Sequence, residues 1–107
     1  MQNDTKKKDL YNKIVQTVKT VYDPEIPVDI WELGLIYKIE INDDFTVDIK
    51  MTLTSPNCPV AESLPTEVYE KVKKVDAVKD VNITLVFEPS WNQEMISDEG
   101  LLELGLL

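Results

Sequence analysis

The chain has no histidine and a single cysteine, Cys58. The first absence removes every histidine acid, base or metal ligand and rules out a Cys-His nucleophile pair. The second rules out an internal disulfide. It also leaves one candidate ligand where a closed zinc site takes four, usually Cys and His. Any thiol or soft-metal chemistry must pass through Cys58. Glycine is scarce, with three residues isolated at 34, 100 and 105, so there is no Gly-rich phosphate loop. No apolar run approaches the roughly 20 residues that span a bilayer, so no membrane partner is expected. Basic residues are few, 11 against 20 acidic, for a net charge of -9. Such a surface repels phosphate backbones and argues against nucleic acid as a partner.

What is present reads as one globular domain over residues 1–107, with residues 1–5 frayed. Hydrophobic residues make up 43% and charged residues 29% of 107 positions, too short a chain for two cores. The opening Met1-Gln2-Asn3-Asp4-Thr5-Lys6 is polar and lacks the apolar centre of a signal peptide. With the lone cysteine, this points to a reducing, cytoplasmic setting.

The hydrophobic pattern places the elements. Leu10, Ile14, Val18 and Val21 form a stripe on a helix over Lys6–Tyr22, which Asp23-Pro24 stops. Pro24 and Pro27 stiffen the loop after it. Ile36–Ile41 alternates, with Tyr37, Ile39 and Ile41 on one side. Phe45–Leu53 alternates again, with Phe45, Val47, Ile49, Met51 and Leu53 inward. The polar turn Asn42-Asp43-Asp44 joins the two runs into a hairpin. A helix opening at Pro59 carries Ala61, Leu64, Val68, Val72 and Val75, and Pro65 should kink or restart it. Val81–Phe87 reads as a third strand, with Val81, Ile83, Leu85 and Phe87 on one face. Ser97 caps a short helix, Asp98–Leu104, that Gly105 ends. The order α-β-β-α-β-α with polar outer strand positions (Thr46, Asp48, Lys50, Asn82, Thr84) predicts an α+β two-layer sandwich. Its small three-stranded mixed sheet has helices on one face.

Three features could carry chemistry. If the helix opens at Pro59, Cys58 is its N-cap, where backbone N–H groups and the helix dipole favour the thiolate. The plainer reading is an inert, buried thiol; the proline-bracketed loop favours the functional one. For Asp23-Pro24-Glu25, the residues alone favour a helix stop beside a solvated glutamate. Carboxylates serving the thiol are the alternative. Trp91 reads as a plug at the sheet's end, or else as an anchor for a partner. The apolar Gly100–Leu107 segment packs on the domain or docks into a partner.

The chain resembles the SufT/PaaD-like family of iron–sulfur cluster maturation factors. The matching segments run from about Leu10 to Leu107. They are Tyr22-Asp23-Pro24-Glu25-Ile26-Pro27-Val28-Asp29, Leu33-Gly34-Leu35-Ile36-Tyr37, and Met51-Thr52-Leu53-Thr54-Ser55-Pro56-Asn57-Cys58-Pro59. Glu88-Pro89-Ser90-Trp91, Met95-Ile96-Ser97-Asp98-Glu99 and Leu104-Gly105-Leu106 complete the set. Each is weak alone; the ordered set is specific. Ser90 and Glu88 depart from the family, which commonly has proline and aspartate there. The resemblance implies a non-enzymatic carrier or adaptor that works with the iron–sulfur assembly machinery and apo client proteins. It also implies a pocket in which Asp23 and Glu25 lie near Thr54, Ser55 and Cys58, reversing the plain reading of Asp23. The resemblance leaves three roles for Cys58: ligand to a labile iron–sulfur cluster, ligand to iron, or no more than a contact to a client. The stretch from Asn57 to Pro65 looks closer to the SufT-like branch than to the PaaD-like branch, which matures a multicomponent oxygenase.

Three functions follow as alternatives. One is a carrier holding or handing over a cluster through Cys58. A single thiol per chain would then call for a homodimer or for outside ligands. Another is a metal-free adaptor recruiting clients through Trp91 and the apolar C-terminus. A thiol enzyme is the third, and it lacks a base or resolving thiol.

Overall fold

A computed structural model describes residues 2–23, 26–54 and 63–106. Helix α1, Gln2–Val18, is followed by β1, Ile36–Ile41, and β2, Thr46–Met51. Then come α2, Ser63–Lys73, β3, Asp80–Leu85, a 3₁₀ turn at Gln93–Met95, and α3, Asp98–Glu103. The sheet order is β1-β2-β3. The β1–β2 pair is antiparallel and β2–β3 is parallel, so the sheet is mixed. A parallel pair cannot be joined by a tight turn, and α2 lies on the crossover between them. The expected order and α+β class are those observed.

Leu10, Ile14, Val18 and Val21 from α1 and its end bury against Val47, Ile49 and Met51 of β2 and against Leu64, Val68 and Val72 of α2, in one core. Each such side chain contributes about 1.5–3 kcal/mol when fully buried. The outer sheet face is polar. There Asp48 accepts from Asn42 Nδ2 and from its cross-strand partner Asn82 Nδ2, both at 2.9 Å. Those two amides hold its carboxyl below the usual aspartate range.

Several expected boundaries move. Helix α1 begins at Gln2, so residues 2–5, read from sequence as frayed, are helical. It ends at Val18, short of Tyr22. Thr20 N and Val21 N bond three residues back, and Tyr22 pairs instead with Asp29 in an isolated bridge. Tyr37 is half-buried, as Ile39 and Ile41 are, but takes no place in the ladder. The register shifts between Ile36 and Lys38, so Ile36 pairs with Met51 and Tyr37 is the extra residue of a bulge. Phe45 is not in β2. It has φ 65, and its N–H donates to Asn42 O, while Asn42 N donates to Thr46 O. This is a three-residue hairpin loop whose last position is left-handed, a place usually held by glycine. Strand β3 starts at Asp80 and ends at Leu85, leaving Phe87 outside it.

Pro65 lies in the first turn of α2, where backbone N–H groups lack intrahelical partners. The expected helix start at Pro59 lies outside the described residues. At the other end, Ser97 Oγ accepts from Gly100 N and caps α3 as expected. Leu104 is the C-cap, and Gly105 follows with φ 76. Leu106 N bonds to Leu101 O and Gly105 N to Leu102 O, the paired bonds of a Schellman motif.

Candidate functional site

The site is built where two loops meet at the C-terminal end of β2. The first follows α1. Tyr22 and Asp29 bridge, Ile30 N donates to Val21 O at 2.8 Å, and Val28 N donates to Ile26 O at 2.7 Å across Pro27. Proline's fixed φ suits that three-residue turn. The base of the loop is thereby closed, and Asp23 sits on it, only 5% exposed. Asp23 Oδ1 accepts from Ile26 N at 3.1 Å, so the aspartate shapes its own loop.

The second loop leaves β2 through Thr52, Leu53 and Thr54. Thr54 Oγ1 lies 3.5 Å from Asp23 Oδ2, at the long limit of a hydrogen bond. Of the five residues assigned to the site from sequence, the structure brings these two together. Glu25, Ser55 and Cys58 lie outside the described residues, as does the N-cap position expected of Cys58. Among the described residues, no group of three or more His, Cys, Asp or Glu is placed to hold a metal ion. Thr52 adds a hydroxyl that is fully buried and has no hydrogen-bond partner among the described residues.

Two acids went unremarked in the sequence reading. Asp29 and Glu32 are both buried. Asp29 Oδ2 accepts from Glu32 N at 3.1 Å, so Asp29 caps the turn that runs to Gly34. Its position three residues before a glutamate is a capping spacing, and that was the available signal. Burial pushes the Asp29 carboxyl up, the Glu32 amide pulls it down, and the Glu32 charge raises it again. Glu32 Oε2 accepts from Ser97 Oγ at 2.6 Å, and Ser97 N donates to Glu32 O at 2.8 Å. This fastens the start of α3 to the turn after the first loop.

Trp91 is partly buried against the core, and its Nε1 donates to Leu33 O at 2.7 Å. It is a plug, not an exposed anchor. The C-terminal segment divides: Leu101 and Leu104 pack on the core, while Leu102 and Leu106 are 59% and 65% exposed. No helix among the described residues is long and apolar enough to cross a membrane.

A family described as "Iron-sulfur cluster assembly protein" matches residues 12–85. A Fe–S protein maturation auxiliary factor of Porphyromonas gingivalis is 52% identical over 94 residues, covering 88% of this chain and 90% of that protein. The Fe–S protein maturation auxiliary factor SufT of Staphylococcus aureus is 33% identical over 86 residues, covering 80% and 98%. A crystal structure of a domain of unknown function from Bacillus anthracis superposes with a TM-score of 0.85 at 31% identity, covering 94% and 95%.

Proposed function

Because the chain belongs to the iron–sulfur cluster assembly protein family, we propose that it is an accessory factor in iron–sulfur protein maturation. In this reading the Cys58 loop holds or hands over a labile cluster or iron. The observation that carries it is the approach of Thr54 to Asp23, because it sets the stem of the cysteine loop against the buried aspartate of the first loop. Asp23 and Glu25 would orient the thiol and its cargo, and Thr54 and Ser55 would line the approach. Handover needs only ligand exchange. A client thiolate takes the iron as the Cys58 thiolate leaves, with no change of oxidation state. The protein therefore acts without catalytic turnover, in the cytoplasm, with the assembly machinery and apo clients as partners. One thiol is too few for a stable cluster, so a second copy or outside thiolates would complete the ligand set.

Anaerobic reconstitution with iron and sulfide tests this. The expected result is cluster absorption in the wild-type protein that is lost in Cys58→Ser, with the loaded form eluting as a dimer. No absorption, or equal absorption in Cys58→Ser, would overturn the carrier role.

A metal-free adaptor is the second reading, in a SufT-like or PaaD-like setting. It is favoured by the exposure of Leu102 and Leu106 on the C-terminal segment. With Trp91 engaged in the fold, these leucines become its docking residues. Pull-downs that lose clients on Leu102→Ser/Leu106→Ser but keep them in Cys58→Ala would favour the adaptor over the carrier.

A further inference from the structure

A cavity of about 360 Å³ lies at the other end of the sheet, lined by Lys6, Asp9, Leu10, Lys13, Phe45, Asp76 and Ala77. Phe45 immediately precedes β2 and Ala77 lies in the turn before β3, whereas Thr54 follows β2. The parallel pairing of β2 and β3 therefore separates the cavity from the thiol loop by the length of a strand, roughly 20 Å. The family site does not account for it.

We propose that this cavity binds a small zwitterion, a molecule carrying a carboxylate and an ammonium on an apolar body of amino-acid size. Two observations point there. First, the lining is electrically balanced, with two lysines and two aspartates around Leu10 and Phe45, in a chain whose net charge is -9. Among the described residues, none of those four side chains joins an ion pair or hydrogen bond. Their neighbours do: Lys7 pairs with Asp43, Lys73 with Asp80, and Lys79 with Asp44. A simple anion would meet Asp9 and Asp76, and a simple cation would meet Lys6 and Lys13. A zwitterion can place each end against its opposite charge and its body against Phe45.

Second, two non-glycine residues with left-handed backbone border the same cavity, Phe45 at φ 65 and Ala77 at φ 78. Their loops are tied together, Lys79 N donating to Phe45 O at 3.0 Å. The hairpin loop accounts for Phe45, and at both positions the backbone is unfavourable for a residue with a Cβ, so the two turns hold fixed, closely tied shapes beside the cavity. Here they close the cavity's wall opposite α1. Because the four charged groups are exposed, each contact is modest, and affinity on the order of 1–10 mM follows.

Titration with L-leucine, followed by ¹H–¹⁵N NMR, tests the proposal. 4-Methylpentanoate and 3-methylbutylamine serve as probes that keep the apolar body and one charge each. Leucine is expected to shift the Phe45, Ala77 and Lys79 amides saturably and at least about threefold more tightly than either single-charge probe. Asp76→Asn and Lys13→Gln, both on the surface, should each weaken leucine about two- to fivefold without disturbing the rest of the spectrum. No saturable shift at these amides up to about 50 mM leucine overturns the proposal. So does equal or tighter binding of either single-charge probe, or indifference to both substitutions.

Discussion

Thr54 Oγ1 stands 3.5 Å from Asp23 Oδ2, across 31 positions of chain. The pair links the strand that leads to Cys58 with the loop that ends α1. Its length matters. Asp23 holds Ile26 N at 3.1 Å and Thr54 only at 3.5 Å, so the local bond does more for stability and the distant contact does more for position.

Asp23→Ala should therefore cost about 1–3 kcal/mol, because it leaves the Ile26 amide without that acceptor. Thr54→Val should cost less, and a double-mutant cycle on the two should show coupling below about 1 kcal/mol. Urea denaturation of the three variants measures this. Coupling well above that limit would mean that the Thr54 contact, not the loop bond, anchors the aspartate.

Gly34 and Gly105 share a left-handed backbone, φ 79 and φ 76, but differ in surroundings. A Cβ on Gly34 would stand 2.5 Å from Met95 O, whereas one on Gly105 would meet nothing within 4 Å. Gly105→Ala should cost about 1 kcal/mol, the backbone term alone. Gly34→Ala should cost about 1–3 kcal/mol more, because the main chain at Met95 must move. Thermal melts of the two variants give the order directly.

Thr52→Val should be neutral, or stabilising by up to about 1–2 kcal/mol. The Thr52 hydroxyl is fully buried without a partner among the described residues, and a valine of the same shape removes that desolvation penalty. Chemical denaturation decides it. A clear loss of stability would mean that the hydroxyl has a partner in solution.

Asp29 sets a pH dependence of unusual sign. Its carboxyl is raised above its ordinary 3.8, chiefly by burial. A carboxyl raised on folding binds its proton more tightly in the folded state. Its contribution is present below the unfolded pKa and is lost as pH rises through the folded one. Asp29→Asn keeps an oxygen for the Glu32 amide and removes the charge. Its stability relative to wild type should therefore climb as pH rises from about 3.8 and level off above the folded pKa. Asp44, Asp48 and Asp80, lowered by their hydrogen bonds, act in the opposite direction but cancel in the difference. Unfolding midpoints of both proteins across pH 3–7 would show a flat difference if Asp29 were not buried as a charge.

The α1 stripe from Leu10 to Val21, the alternation of Val47, Ile49 and Met51, and the Ser97 cap with its Gly105 stop were all legible in the chain. Each depends on neighbours within one or two turns or one strand. The boundaries were less legible where a distant partner intervened. Tyr22 left its helix for Asp29, Tyr37 was displaced by the register with β2, and Phe45 turned left-handed so that the hairpin could close. The site divides the same way. Cys58 stood out by being alone, and Asp23 was placed near it by resemblance. Nothing local marks Asp29 and Glu32 as buried, and only packing decides it.

From the sequence by itself came the α+β order, the soft chemistry confined to one thiol, and the exclusion of histidine chemistry. Side-chain period and residue inventory are local properties, readable without a fold. Only the tertiary structure decided that Thr54 reaches Asp23, that Trp91 spends its N–H on Leu33, and that four charged side chains gather around Phe45. These depend on which ends of the chain meet once the core has formed. Loop closure between distant residues leaves no period in the sequence to announce it.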